Sequence, residues 1–229
     1  MTADKDLYRE GDVRGWLRGL PVFAGPLAEF EPADAPPEPV ELFLEWLRAA
    51  VAAGEPDPHA MTLSTLGEDG VPDARVLILK NVDRDGWQFA SHEASPKGRQ
   101  LAAHPSAALT FYWPLLGRQV RLRGTVTRAS AEASAADLLA RSRPARAEAL
   151  LARQSTHLPS PADGDRALRE ALTRIEADPD LVTPEWTLYT VAPTRAEFWQ
   201  ATRTRTHTRL RYEREDASTP TWERHLLWP

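Results

Sequence analysis

The residues of this sequence best suited to chemistry are a few cations, an Arg-x-His pair and the hydroxyl and amide groups near them. Arg75 and Lys80 bracket the apolar run Val76-Leu77-Ile78-Leu79, and burying such a strand leaves both cations needing anionic partners. Side chains alternate along a strand, so residues five apart point to opposite faces. The two can serve one anion only where a bulge or a strand end lies between them. The alternative is a pair of strand-end cations that reach water along their aliphatic stems. Lys97 stands near the start of a short helix preceded by Ser95, where unpaired backbone N–H groups and the helix dipole favour a phosphate. Ser91 can add a hydroxyl, although a solvated lysine at a helix start explains the same residues. Near the C-terminus, Arg205 and His207 are two apart and would share one face of a strand, bringing a fixed charge and a titratable imidazole to one ligand. Arg203, Arg205, Arg209 and Arg211 also read as a merely basic edge strand. Lysine occurs only at positions 5, 80 and 97 among 28 Lys and Arg residues, which singles out each remaining lysine for a specific task, with a codon preference for arginine as the plain alternative.

The elements that must position these groups are mainly strands. Residues 1–38 are rich in Pro, Gly and acidic side chains, including Ala35-Pro36-Pro37-Glu38-Pro39, and lack a sustained period; they read as an extended arm. Val40, Phe43, Leu44, Leu47 and Val51 follow at helical spacing behind Pro39, predicting an amphipathic helix to Ala53. From Met61 the runs become short, β-branched and aromatic. MTLSTL and ARVLILKNV flank Gly67-Glu68-Asp69-Gly70 as a hairpin, and GWQFAS, SAALTFYW and RQVRLRGTVT follow, with a short helix around Lys97 to Ala103. In the last of these runs Val120, Leu122, Gly124 and Val126 alternate with Arg121, Arg123, Thr125 and Thr127, the period of a half-buried strand. Residues from about 131 to 178 are alanine-rich and helical, with a break at Ser142-Arg143-Pro144. Strand character returns in WTLYTVA, AEFWQA and LRYERE. The pattern predicts one mainly β domain over 39–229, an antiparallel barrel with peripheral helices and a helical insert.

Composition narrows the function. A net charge of −5 and the lack of any lysine- or arginine-rich block argue against nucleic acid as a partner. There is no cysteine, hence no disulfide or thiolate ligand, and the six histidines form no metal-spaced cluster. The polar start MTADKDLYREGD is unlike a signal peptide and no apolar run approaches a bilayer's thickness. A cytoplasmic protein with neither metal nor membrane is expected.

Six segments in register carry a family resemblance: Arg75-Val-Leu-Ile-Leu-Lys80, Ser95-Pro-Lys97-Gly-Arg99-Gln100, Gly117-Arg-Gln119-Val, Arg153-Gln154-Ser155, Glu197-Phe-Trp199-Gln200 and Arg205-Thr-His207. From about Val40 to Trp228-Pro229 the chain resembles the pyridoxine/pyridoxamine 5'-phosphate oxidases. The resemblance implies an FMN-binding split barrel and a homodimer with one FMN in each of two interface clefts. It implies that Arg75 and Lys97 meet the FMN phosphate and that Val76, Leu77 and Ser91 line the cofactor. Gln119, Gln154 and Ser155 would bond the flavin ring or ribityl chain, with Trp199 and Arg209 as a nearby wall. Lys80 would stand between flavin and substrate, and Arg143, Arg205 and His207 would hold the substrate, Arg205 and His207 at the flavin's reactive face.

The implied activity is an FMN-dependent oxidase that takes a hydride from pyridoxine or pyridoxamine 5'-phosphate and passes it to oxygen, giving pyridoxal 5'-phosphate and hydrogen peroxide. The departures fall on the substrate side. Ala201 and Thr202 replace two small residues, often glycines, and Thr208 replaces an acid; of a tyrosine, arginine and serine phosphate clamp, Leu139 replaces the tyrosine, Arg143 remains, and Ala147 is the nearest candidate for the serine. Similar drift occurs among phenazine-pathway relatives, so an oxidase or dehydrogenase of a different secondary metabolite is the alternative. A non-catalytic flavin- or haem-binding module is a third reading.

Overall fold

The computed structural model describes residues 12–23, 25 and 27–229; the first eleven residues of the expected arm lie outside them. Within that range α1 (Val13–Gly19) precedes α2 (Pro39–Ala52), and six strands follow: β1 (Ala60–Leu66), β2 (Pro72–Ile78), β3 (Asn81–Asp83), β4 (Gly86–His92), β5 (Ser106–Trp113) and β6 (Arg118–Arg128). Helix α3 (Pro96–Ala103) lies between β4 and β5. The insert comprises α4 (Ala131–Leu139), α5 (Arg143–Leu151) and α6 (Pro161–Ala177), and β7 (Trp186–Gln200), β8 (Thr208–Glu213) and β9 (Glu223–Leu226) complete the chain. The arm differs from the expected extended segment by containing α1, a two-turn helix capped by Asp12 that buries none of its residues. No described helix is long and apolar enough to cross a membrane.

All strand pairs are antiparallel in the order β2-β1-β5-β6-β7-β4-β3, with β8 and β9 continuing from β7. The runs WTLYTVA and AEFWQA are one strand. Pro193 cannot donate a ladder hydrogen bond, and the register with β6 shifts at Arg123/Gly124, opposite Pro193 and Arg195. A bulge there absorbs the proline and bends β7 without ending it. Gly124 is required at that point because a Cβ would overlap the carbonyl oxygen of Ala192. One edge of β7 pairs with β6 from Tyr189 to Gln200; the other pairs first with β4, from Trp186 to Val191, then with β8, from Arg195 to Gln200.

The main core fills the curl of the sheet. Phe43 of α2 meets Trp87 edge-on at 5.5 Å and Phe111 at 4.8 Å, and Leu63, Leu109, Val120 and Phe198 are fully buried around them. Alternation along β6 holds as expected, with Val120, Leu122 and Val126 inward. The arm is tied to this core by backbone acceptors: Tyr212 donates to the Pro36 carbonyl at 2.7 Å, Arg224 to that of Ala35 at 2.6 Å and Arg118 to that of Glu29 at 3.4 Å. The insert packs separately, through one small cluster of Leu138, Ala149 and Trp186 and another of Ala147, Ala171 and Ile175.

Gly124→Ala forces the β6–β7 bulge apart; we expect a loss of about 2 kcal/mol or more of folding stability, by analogy with overpacked cores, measured by urea unfolding, with Gly164→Ala on the exposed start of α6 as the mild comparison.

Candidate functional site

Strand β4 ends where α3 begins, and that junction builds the first cluster. Ser91 and Ser95 are buried. The Ser95 hydroxyl caps α3 by accepting from the Gly98 N–H at 3.2 Å and lies 3.3 Å from the Ser91 hydroxyl. Gly98 lets the helix approach so closely, since a Cβ there would overlap the backbone of Glu93. Lys97 Nζ sits 3.4 Å from Ser95 Oγ and 3.3 Å from Gln154 Oε1. It makes no ion pair among the described residues. Burial pushes the Lys97 ammonium below its ordinary value of 10.5, and the nearby charge of Arg75 pushes the same way. Arg75 itself is immobilised: it donates to Thr65 Oγ1 at 2.5 Å and to Gln100 Oε1 at 3.2 Å, and pairs with Asp73. A half-buried ammonium with two hydroxyls and a second cation close by fits a phosphate monoester such as that of FMN, whose negative charge would favour the charged lysine and offset both causes of its depression.

The second group lies across the same cleft, of about 480 Å³, which Val76, Leu77, Lys80, Ser91, Lys97 and Gln154 all line. The strand end that Arg75 and Lys80 needed is present: β2 stops at Ile78, Leu79 N donates to His59 O at 3.0 Å, and Lys80 N turns to Gln88 O at 2.7 Å. Lys80 Nζ stands 3.6 Å from Asp137 of α4, whose other oxygen accepts from Trp186 Nε1 at 2.9 Å.

Arg143 does not join this group. It begins α5, is largely exposed, and pairs with Glu176 of α6 at 2.9 Å. Arg141, two residues earlier at the α4–α5 junction, lines the cleft instead, its guanidinium 4.6 Å from the centre of the Trp186 ring. The sequence reading passed over Arg141, Asp137 and Trp186; the one available signal was the helix break at Ser142-Arg143-Pro144, which marks where a side chain can leave the helix pair. Ser155 lies just beyond the cleft lining in a left-handed conformation (φ 63°), a strained state for a non-glycine residue.

The remaining predicted residues form a separate cluster. Gln119 faces Trp199 across β6–β7, and Arg209 faces Trp199 across β7–β8. Arg209 is clasped by Glu197 at 2.8 Å and donates to the Trp228 carbonyl at 2.8 Å. The His207 ring lies 4.8 Å from Trp199, and Phe23 of the arm packs on both, at 5.7 Å from Trp199 and 6.1 Å from His207. Arg205 and His207 are not on a strand, contrary to the two-residue period: β8 starts only at Thr208, and Arg205 occupies a turn with φ of 62°. The turn is closed by Arg205 N–H on Thr202 O at 3.2 Å, and the Thr202 N–H donates to His207 Nδ1 at 3.1 Å. A neutral imidazole so held carries its proton on Nε2.

The two clusters are far apart in one chain. Ser91 pairs with Thr187 and Gln119 with Trp199, and twelve residues of strand separate Thr187 from Trp199, about 40 Å of contour at roughly 3.3 Å per residue.

Comparison with known proteins identifies the family. Residues 47–176 match the family model described as pyridoxamine 5'-phosphate oxidase, and residues 186–229 match that of the pyridoxine 5'-phosphate oxidase C-terminal dimerisation region. The chain is 42% identical over 202 residues to the pyridoxine/pyridoxamine 5'-phosphate oxidase of Burkholderia multivorans and 39% to that of Burkholderia ambifaria, in each case over 88% of this chain and 94% of the relative. Among solved structures, PhzG from Burkholderia lata in complex with tetrahydrophenazine-1-carboxylic acid superposes with a TM-score of 0.79 at 30% identity, covering 90% of this chain and all of that one. A pyridoxamine 5'-phosphate oxidase-related, FMN-binding protein from Nostoc punctiforme, at 21% identity, a TM-score of 0.63 and coverage of 87% and 100%, shares the fold.

Replacing Lys97 by Met removes the cation from the β4–α3 junction, so FMN affinity should fall roughly 10- to 100-fold, the range for a lost charge-assisted hydrogen bond, as read by titration of flavin fluorescence. The pH dependence has opposite signs for stability and binding. Because the folded value is below 10.5, the FMN-free fold gains stability as pH rises from that lowered value to 10.5 and loses it as pH falls back through it. Binding needs the charged lysine, so wild-type FMN affinity declines as pH rises through the same window.

Proposed function

The chain belongs to the pyridoxamine 5'-phosphate oxidase family and is an FMN-dependent oxidoreductase of split-barrel fold, and from that premise we propose that it oxidises a small, non-phosphorylated ring substrate in a cleft completed by a second copy of itself. FMN, when bound, would supply the redox chemistry, a two-electron oxidation of the substrate by hydride transfer with the electrons passed to oxygen, which with two protons becomes hydrogen peroxide. The chain's own residues bind, orient and exclude water. Lys97, Ser91 and Ser95, backed by the immobilised Arg75, hold the phosphate. The amides of Gln154 and of the partner's Gln119 meet the carbonyls and ring nitrogens of the flavin, and the partner's Trp199 and Arg209 wall the ring. The partner's His207 presents an Nε2 proton to the substrate, and the partner's Arg205 a fixed charge.

Assembly from two copies is supported by the twelve strand residues that separate the clusters along β7, by the matched dimerisation region, and by apolar surface left uncovered in one chain: Val76 on edge strand β2 is 66% exposed and Trp228 is 92% exposed. Pyridoxine or pyridoxamine 5'-phosphate as substrate is supported by the names of the curated relatives. The non-phosphorylated reading rests on one observation, the dismantled clamp: Arg143 is turned to Glu176, Ala147 is buried without a donor, and Leu139 has no hydroxyl.

FMN-loaded protein in air should therefore give little pyridoxal 5'-phosphate or peroxide from pyridoxine 5'-phosphate, while tetrahydrophenazine-1-carboxylic acid bleaches the flavin under anaerobic conditions. Rapid production of pyridoxal 5'-phosphate would sink the non-phosphorylated reading. Assembly across copies has its own check. Lys97→Met and Trp199→Ala variants, each poor in FMN binding, should on subunit exchange recover about a quarter of the wild-type sites, since half the dimers are mixed and one of the two sites in each is intact. No recovery would place the whole site within one chain.

A further inference from the structure

The cleft is lined by three cations, of which two already have employment. Lys97 belongs to the phosphate cluster, and Lys80 is matched by Asp137 at 3.6 Å. Arg141 is different. Its side chain makes no hydrogen bond or ion pair among the described residues, and its Nε is buried without a partner. Glu148, a carboxylate on the cleft wall, forms no ion pair with it. One face of the guanidinium lies against Trp186, and the indole is in turn fixed by its hydrogen bond to Asp137. Asp137 thus neutralises Lys80 and anchors the platform beneath Arg141. Stacking occupies the guanidinium's face and Nε is buried, so the two terminal amino groups are the donors left for a ligand, an end-on fork that accepts a carboxylate through two parallel hydrogen bonds.

A phosphate dianion is served poorly here, because the side chains expected to share its charge with Arg143 supply no donor and Arg143 points to α6. A monoanion needs only the one fork. The adjoining walls, three alanines (Ala90, Ala145 and Ala149) and the indole of Trp186, are apolar and suit a flat ring. We propose that Arg141 is the specificity-determining residue of this cleft and that it binds the carboxylate of a planar ring acid. This rests on the reading of the cleft as the substrate end of an FMN oxidase.

The test is calorimetric titration of FMN-loaded wild type, Arg141→Gln, Arg141→Lys and Arg143→Gln with benzoate, phenazine-1-carboxylate, neutral phenazine and pyridoxal 5'-phosphate. Wild type should bind at least one carboxylate more tightly than phenazine or pyridoxal 5'-phosphate. Arg141→Gln should weaken that carboxylate roughly 10- to 100-fold, the range for a lost charge-assisted pair, and bring it level with its neutral counterpart, with Arg141→Lys in between. FMN content and melting temperature, measured on each variant, separate this loss from misfolding. The proposal is overturned if neither carboxylate binds wild type, if Arg141→Gln leaves carboxylate affinity unchanged, or if pyridoxal 5'-phosphate binds best and depends on Arg143. Carboxylate binding through Arg141 without oxidation of any reductant would fail the oxidase reading and leave this one standing. Efficient oxidation of pyridoxine 5'-phosphate without carboxylate binding would do the reverse.

Discussion

Everything in this fold is hung on one strand that has to satisfy three neighbours. β7 is fifteen residues long and keeps β6 along one edge, while its other edge is divided between β4 and β8. A flat strand could not do this and still curl around a core. The bend comes from a local mismatch, with Pro193 lacking a donor and Gly124 lacking a side chain at the same level of the ladder. The division of the second edge carries the chemistry with it. What pairs with the first half of β7 brings the phosphate cluster, and what pairs with the second half brings the Trp199–His207 cluster.

Charge follows a second economy. A chain with so few lysines uses the guanidinium as a flat packing unit as much as a charge. Arg118, buried and without a carboxylate partner among the described residues, lies 4.3 Å over Trp46 and donates to Gln200 at 2.8 Å; Arg214 covers Trp222 at 4.3 Å, and Arg141 covers Trp186. Burial pushes both the Arg118 and Arg214 values down, yet stacking on an indole offsets part of the cost of desolvation. Arg195, Arg209 and Arg211 of β7 and β8 pair with Glu197 and Glu213, whose carboxylates are largely buried.

Periodicity revealed the elements well where a single face was buried. The α2 helix, the β1–β2 hairpin, α3 and the alternation of β6 are legible in the sequence, and the condition that Arg75 and Lys80 share one anion only across a bulge or strand end is met by β2 stopping at Ile78. It failed where a tertiary contact overrode a local rule. Pro193 reads as a strand terminator, but a glycine on the neighbouring strand lets the ladder continue. Arg205 and His207 read as a strand pair, but the Thr202 backbone holds them in a turn. Arg143 stands on the expected position, yet a helix start has a steep angular dependence, and a shift of two residues decides which arginine faces the cleft and which faces Glu176. Neither composition nor spacing encodes that rotation; it depends on how α5 packs against α6.

The separate packing of the helical insert has a consequence for how such a protein changes over generations. The clusters that steady α4, α5 and α6 are small and distinct from the large core inside the sheet. Substitutions there re-aim the cleft wall while leaving the strands and the phosphate cluster in place. Novelty in what the cleft accepts can therefore accumulate without jeopardising the ability to fold or to retain a prosthetic group, a modularity written into the separation of the cores.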